Sequence, residues 1–280
     1  MELQELIRQA LIEDIGQADI TTEATVPATA TGVGLVRAKE RLVVAGHEAA
    51  AEVFRQLGAR YTPLQAEGES VEPGTVVARA EGPLRALLTG ERTALNLLMH
   101  LSGIATHTAD VIRAAPGLKI TDTRKTVPLL RALERRAVRF GGGANHRFAL
   151  YDGILIKDNH IVAAGGITAA LRAARRGAHH LLRIEVEVQS MAQAEEAVAA
   201  GAEVLLLDNM SDAAMAEVIS HLRGRALFEA SGNITRERLP GLAALGLDLV
   251  SMGGLIHQAR WVDLSMKIQV PTSEPTAAGA

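Results

Sequence analysis

The chain has 280 residues, 48% of them hydrophobic and 22% charged, which is the composition of a folded globular protein and not of a disordered one. It contains no cysteine, which excludes disulfides, iron–sulfur clusters, thiolate zinc sites and a thiol nucleophile. A net charge of −3 argues against binding nucleic acid, and no run approaches the ~20 apolar residues of a membrane span, so the cytoplasm is the expected compartment.

At the start, Leu3, Leu6, Ile7, Ala10 and Leu11 have the spacing of an amphipathic helix, without the basic-then-apolar order of a signal peptide. Strand-like runs follow at Gly32–Arg37, Arg41–Ala45 and Thr75–Ala80, with a helix over His47–Leu57 stopped by Gly58. A long Leu- and Ala-rich helix covers Leu84–Leu101. Helices and strands without regular alternation imply an α+β domain over residues 1–103.

From Gly103 the pattern becomes regular. Strands are expected at Leu118–Thr121, Gly153–Lys157, Leu182–Val188, Val204–Leu207, Ala226–Glu229 and Leu247–Ser251. Helices fit at Thr168–Arg176, Met191–Ala200 and Asp212–Arg223, which together make a parallel sheet with helical crossovers. Polar residues follow almost every strand: Asp122 to Lys125, Lys157 to Asn159, Glu187, Asp208 and Asn209, Ser231 to Asn233, and Ser251 to Gly254. A β/α barrel gathers such strand ends at one mouth, whereas an open sheet spreads them along an edge. No GxGxxG opens a helix after a strand, which also disfavours a dinucleotide fold. Residues 104–264 are too few for the ~250 of a complete barrel, so six strands suggest a truncated one. The small, polar tail at 271–280 is expected to be disordered.

Charge is unevenly placed. Lys119 to His160 holds nine Lys and Arg against four Asp and Glu, a local +5. Such a segment either binds a small anion or contains a solvated basic helix, here Leu130–Arg139. Arg124 offers a planar fork for carboxylate or phosphate, and Lys125 a point charge. Three glycines precede His146 and Arg147, and Lys157 ends the next strand; their proximity favours an anion site. Glu185 and Glu187 share one face of RIEVEV. If that face is the barrel interior they need cations, and Lys157 on the neighbouring strand is the expected partner; the alternative is an edge strand with one wet face. With Asp208 they could hold sugar hydroxyls or Mg²⁺, act as acid and base, or only balance the cations. The turns SGNI and SMGG read as a phosphate cradle beside helix N-termini, or as plain tight turns. Arg92 reads as exposed helix surface, His100 and His107 as helix surface or core, and His179–His180 lacks metal-ligand spacing. The chemistry described is a phosphorylated sugar meeting an acidic partner.

Taken jointly, TDTRKTVP, GGGANHRFALYDGILIKDNHI, RIEVEV, LLLDNM, EASGNI and SMGGLIHQA resemble the quinolinate phosphoribosyltransferase family, as do EDIGQADITT, GERTALNLLMHLSGIAT and VDLSMKI. The resemblance covers residues 1–268. It implies transfer of phosphoribose from phosphoribosyl pyrophosphate to quinolinate with Mg²⁺, release of pyrophosphate and carbon dioxide, and formation of nicotinate mononucleotide in NAD biosynthesis. The implied fold is an α/β sandwich domain plus an incomplete, seven-stranded α/β barrel, with residues 265–270 returning to the first domain. The implied assembly is a homodimer or larger homo-oligomer with shared sites. By motif position, Arg124, His146 and Arg147, with Lys157 and a partner subunit's copy of Arg92, correspond to the quinolinate site. Lys125, Lys157, Glu187 and Asp208 correspond to catalytic and phosphoribosyl pyrophosphate-binding groups, the two acids lying near Mg²⁺. Ser231, Gly232, Asn233, Gly253 and Gly254 correspond to the 5′-phosphate loops. Family members often have glycine where Asn233 stands and alanine where Gly254 stands. A molybdenum-transport-associated relative of the same fold would be expected to lose parts of the quinolinate site, yet Asn145, His146 and Arg147 are present. A phosphate-metabolite sensor would need the cradle but not Glu187, Asp208 and Arg92.

Overall fold

A computed structural model describes residues 2–270; the expected tail at 271–280 lies outside them. The chain opens with α1 (Leu3–Ile15), α2 (Ile20–Thr25), β1 (Thr31–Ala38), β2 (Leu42–Val43) and α3 (His47–Gln56). It continues with β3 (Arg60–Pro63), β4 (Ser70–Val71), β5 (Val76–Pro83) and α4 (Leu84–Arg113). Next come β6 (Ile120–Thr121), α5 (Arg131–Phe140), β7 (Ile154–Ile156), α6 (Asp158–Ala164), α7 (Ile167–Gly177), β8 (Ile184–Val188) and α8 (Met191–Ala199). Then β9 (Val204–Asp208), α9 (Asp212–Leu222), β10 (Leu227–Ser231), α10 (Leu239–Ala244), β11 (Leu249–Ser251), α11 (Gly254–His257) and β12 (Leu264–Gln269) complete it.

These elements form two compact units. Among the described residues, one comprises residues 2–107, Pro128–Gly141 and residues 259–270; the other comprises Thr108–Val127 and Gly142–Gln258. The first is built on an antiparallel sheet in the order β12-β1-β5-β3. Alternation of small and β-branched residues along β1 puts Val36 and Ala38 in the core, and Met266 of β12 packs over Gly34. The helix expected to end at Leu101 runs on to Arg113, so the change of unit falls inside α4 and not at Gly103. Gly103 is no helix stop. A Cβ there would lie 2.1 Å from the Arg260 carbonyl oxygen, so the glycine serves close packing.

Residues 128–141, expected in the barrel, cluster with the first unit. Their helix α5 is not the solvated basic helix suggested as an alternative. Leu133, Glu134, Arg135, Ala137 and Val138 are buried, with Arg136 outside, paired to Glu48. His100 meets the buried Glu134 carboxylate at 2.8 Å, so it is a paired core residue.

The second unit holds a parallel sheet in the order β6-β11-β10-β9-β8-β7. Ala144 adds one parallel bridge beside Thr121, so the seventh strand implied by the resemblance is reduced to a single residue. No ladder joins that residue to β7 among the described residues, which leaves the barrel open there. All five residues of β8 are buried, which rules out the edge-strand alternative for RIEVEV. Ser190 and Ser211 cap α8 and α9 by accepting from Gln193 and Ala214 backbone N–H groups. Met215, Val218, Ile219 and Leu222 give α9 its apolar stripe, the spacing that makes the βα repeat legible. No helix among the described residues is long and apolar enough to cross a membrane.

Candidate active site

The C-terminal strand ends of the second unit surround a cavity of about 700 Å³. Arg124, Lys125, His146, Arg147 and Lys157 reach it, as do Asp208 and Glu229. Ser231 to Asn233 and Ser251 to Gly254 complete much of its lining. Glu187 is not on the lining; it lies behind Lys157, whose Nζ donates to Glu187 Oε2 at 3.1 Å. Arg92 is exposed on α4 and is also absent from this lining.

Local chemistry fixes the cation-bearing loop. Asp122, fully buried just after β6, accepts from Asn145 Nδ2 at 2.6 Å and from the His146 backbone N–H at 2.9 Å. The bridge at Ala144 adds backbone bonds from Ala144 N to Ile120 O and from Asp122 N to Ala144 O. Arg147 Nη1 donates to the Gly153 carbonyl at 2.8 Å, tying the loop to the start of β7. These bonds are why residues far apart in the sequence present their side chains together.

The opposite end is built from backbone. Asn209 and Asn233 have left-handed φ values of 54° and 47°. Asn209 Nδ2 donates to Asp208 Oδ2 at 2.7 Å, while its Oδ1 accepts from Asn233 Nδ2 at 2.9 Å. A Cβ at Gly253 would lie 2.7 Å from Lys125 Cδ, so that glycine lets the lysine stem cross. Expectation and structure part at one point. The helix after SGNI begins only at Leu239, so Ser231 to Asn233 form a turn without a helix N-terminus beside it. Gly253, by contrast, immediately precedes the short α11.

Electrostatics mark the site as one for anions. Among the described residues, Arg124 and Lys125 have no carboxylate within ion-pairing distance. Burial and the neighbouring Arg124 charge pull Arg147 below its ordinary range, against the pull of Glu185. His146 Nε2 lies 3.4 Å from Glu185 Oε2 and 3.4 Å from Glu229 Oε1. Burial alone would lower its pKa, but the two carboxylates outweigh it and raise it to about 10. Burial and the adjacent Glu229 push Glu185 up. Burial also acts on Glu229, but its contacts with His146 and Ser251 bring it below the usual carboxylate range.

Lys157 was expected to serve both glutamates of β8. It serves Glu187 alone, because Glu185, two residues earlier on the same face, sits a layer deeper and meets His146. Glu229 was missed. Its signal in the sequence is a lone carboxylate inside the apolar run ALFEAS, which must be matched if that strand is buried. Two donor sets could hold a cation: Glu187 with Asp208 at adjacent strand ends, and His146, Glu185 and Glu229, whose ligand atoms lie within 4.8 Å of one another.

Comparison with known proteins gives this arrangement its context. Residues 104–267 match the family described as quinolinate phosphoribosyl transferase, C-terminal domain, and residues 19–102 match its N-terminal domain. The chain belongs to the quinolinate phosphoribosyltransferase family. Among relatives it is 41% identical over 272 residues to a probable nicotinate-nucleotide pyrophosphorylase (carboxylating) of Bacillus subtilis, covering 96% of this chain and 94% of that one. The human nicotinate-nucleotide pyrophosphorylase (carboxylating) is 39% identical over 238 residues, covering 82% and 80%. The crystal structure of NadC from Streptococcus pyogenes superposes with a TM-score of 0.91 at 40% identity, covering 96% of each chain. The α/β architecture, with a small antiparallel sheet and an incomplete parallel barrel, is therefore that of this phosphoribosyltransferase family.

Proposed function

We propose that this chain is a pentosyltransferase of NAD biosynthesis, which transfers phosphoribose from phosphoribosyl pyrophosphate to quinolinate. Loss of carbon dioxide then gives nicotinate mononucleotide. The observation that carries the reading is the pair Arg124 and Lys125, cations without carboxylate partners among the described residues, in a cavity that also holds Arg147, Asp208 and two glycine turns. Unpaired cations in a concave site favour an anionic ligand, and membership of the family supplies its identity. Arg124, His146, Arg147 and Lys157, with Arg92 from a partner subunit, are proposed to hold the dicarboxylate. Lys125, Lys157, Glu187 and Asp208 are proposed to attend phosphoribosyl pyrophosphate, with Ser231, Gly232, Asn233, Gly253 and Gly254 around its 5′-phosphate.

In this reading the pyridine nitrogen forms a bond to the anomeric carbon as the bond to pyrophosphate breaks, its electron pair leaving on pyrophosphate. The transition state has oxocarbenium character and needs no covalent nucleophile, so positioning and charge stabilisation do the catalysis. Lys125 and Lys157 are proposed to meet charge on the departing oxygens, and Glu187 accepts from Lys157 Nζ at 3.1 Å, which restrains that lysine. The pyridinium then accepts the electron pair left when the C2–carboxylate bond breaks, and a proton replaces carbon dioxide at C2. Mg²⁺ is the proposed cofactor. Asp208 and Glu187 offer the hard oxygen donors that ion takes, and when bound it would offset pyrophosphate charge. The protein is proposed to act in the cytoplasm as a homodimer or larger homo-oligomer. The deciding assay supplies quinolinate, phosphoribosyl pyrophosphate and Mg²⁺ and measures carbon dioxide. Stoichiometric release with nicotinate mononucleotide is expected; no turnover, or equal turnover with nicotinate, would overturn the reading.

A further inference from the structure

The turn after β10 is held from outside the cavity by an arginine that the reaction scheme leaves unused. Arg238, just before α10, folds back over that turn. Its Nη1 donates to the Asn233 carbonyl at 3.1 Å, and its Nη2 donates to Asp212 Oδ1 at 2.6 Å and to the Met210 carbonyl at 3.4 Å. One guanidinium thus ties the loop after β9 to the loop after β10, strands that run side by side with Asp208 opposite Ser231. Neither Arg238 nor Asp212 lines the cavity, whereas Gly232, Asn233 and Ile234 do. The Arg238–Asp212 pair is partly exposed, so it contributes little stability; what it fixes is the direction of the planar fork.

That direction matters because a peptide group is planar. The Asn233–Ile234 bond is trans, as are all peptide bonds among the described residues, so its carbonyl and its N–H point to opposite sides. Arg238 holds the carbonyl on its own side. The Ile234 N–H therefore faces the other way, where Ile234 lines the cavity, and it donates to no group among the described residues. Asn233 has a left-handed φ of 47°, and its side chain is pinned separately, to Asn209 Oδ1 at 2.9 Å. We propose that Arg238 is a positioning residue for phosphoribosyl pyrophosphate: anchored by Asp212, it keeps the Asn233 carbonyl turned away and so presents the Ile234 N–H to the 5′-phosphate. This rests on the reading of Ser231 to Asn233 as the 5′-phosphate turn. A chain of backbone N–H groups binds an anion, whereas a flipped Asn233–Ile234 peptide would aim a carbonyl oxygen at it. Arg238 thus acts on substrate through the backbone it holds, its own charge being offset by Asp212.

Arg238→Ala, Arg238→Lys and Asp212→Asn are compared with the wild type by KM for both substrates and by titration with ribose 5-phosphate, which carries the 5′-phosphate without pyrophosphate. Arg238→Ala should raise KM for phosphoribosyl pyrophosphate roughly tenfold, the worth of one hydrogen bond to a charged group. Ribose 5-phosphate should weaken by the same factor, and KM for quinolinate should not follow. Arg238→Lys reaches one acceptor but cannot bridge three, and should fall between. Asp212→Asn supplies the sign. If Arg238 acted only through its charge, loss of the neighbouring carboxylate would tighten phosphate binding. If Arg238 positions the turn, loss of its anchor should instead raise KM for phosphoribosyl pyrophosphate, by roughly two- to threefold. Tighter binding in Asp212→Asn, an unchanged KM for phosphoribosyl pyrophosphate in Arg238→Ala, or an equal rise for both substrates would overturn the proposal. The sign in Asp212→Asn decides it even if Arg238→Ala fails to fold. Ribose 5-phosphate binding needs no turnover, which keeps this proposal apart from the transferase reading. Weakened binding in the variants supports the role of Arg238 even in a protein that releases no carbon dioxide, and wild-type binding in all of them overturns it even in one that does.

Discussion

At Gly232 an added Cβ would lie 2.3 Å from Asn209 Oδ1 and 3.0 Å from the Asn209 backbone nitrogen, and φ is +84°. A side chain there meets both a left-handed backbone penalty of roughly 1–2 kcal/mol and a collision. Asn209 cannot yield freely, since the same amide restrains Asp208 and Asn233. Gly232→Ala should therefore displace Asp208 and the Asn233 turn together. The expected outcome is KM for phosphoribosyl pyrophosphate raised about tenfold or more, the equivalent of ~1.4 kcal/mol, with KM for quinolinate little changed. Steady-state kinetics with each substrate varied would check it; an equal rise in both would mean a general disturbance of the cavity. The glycine turn itself was legible, as was the cation set, because unusual residues cluster after strands. Asn209 was visible only as a neighbour of Asp208, since what it does depends on one hydrogen bond to Asp208, one to Asn233 24 residues on, and a positive φ. Glu229 was hidden for a related reason: a single acid in an apolar strand acquires meaning only when β8 and β10 face the same interior.

Among the elements, α4 sets helix propensity against packing. Propensity favours alanine over glycine inside a helix by ~1 kcal/mol. At Gly103 the space decides otherwise, because the Cβ would press on the Arg260 carbonyl at 2.1 Å and on Trp261 Cα at 3.3 Å, both backbone atoms. Gly103→Ala should thus destabilise the protein despite its better helix former, by about 1–3 kcal/mol, the usual range for overpacking. A denaturation midpoint equal to or above the wild type would refute that account. The sequence pattern read Gly103 as a boundary because the regular alternation of strands and helices begins there, and the constraint that actually places this glycine comes from residues more than 150 positions later. Elsewhere the pattern served well. Strand β9 is a continuous apolar run with a polar end, β8 and β10 are buried strands interrupted only by Glu185, Glu187 and Glu229, and α7, α8 and α9 carry a clear helical period. The short α2, α10 and α11 and the four-residue β3 were not seen, because elements of four to six residues are too brief to show a period.

For the whole molecule, the question is how a chain with net charge −3 assembles a cationic site and what completes it. Part of the +5 in Lys119 to His160 lies on the cavity, and part lies on α5, where Arg135 is buried and Arg136 pairs with Glu48. Arg92 stays exposed on α4 and contributes nothing to the lining of its own chain's cavity. An arginine supplied by a partner subunit can be tested without a structure of the assembly. Arg92→Ala and Lys157→Ala proteins should each be inactive, since one lacks the donated cation and the other the resident one. If a two-fold dimer shares its sites, random reassociation of an equal mixture makes half the dimers hybrids. Each hybrid carries both defects in one site and none in the other, so about a quarter of wild-type activity should return. Differently tagged chains would confirm that hybrids form. Hybrids that form and remain inactive would place Arg92 outside the site, and recovery well above a quarter would mean that one of the two single variants was never fully disabled.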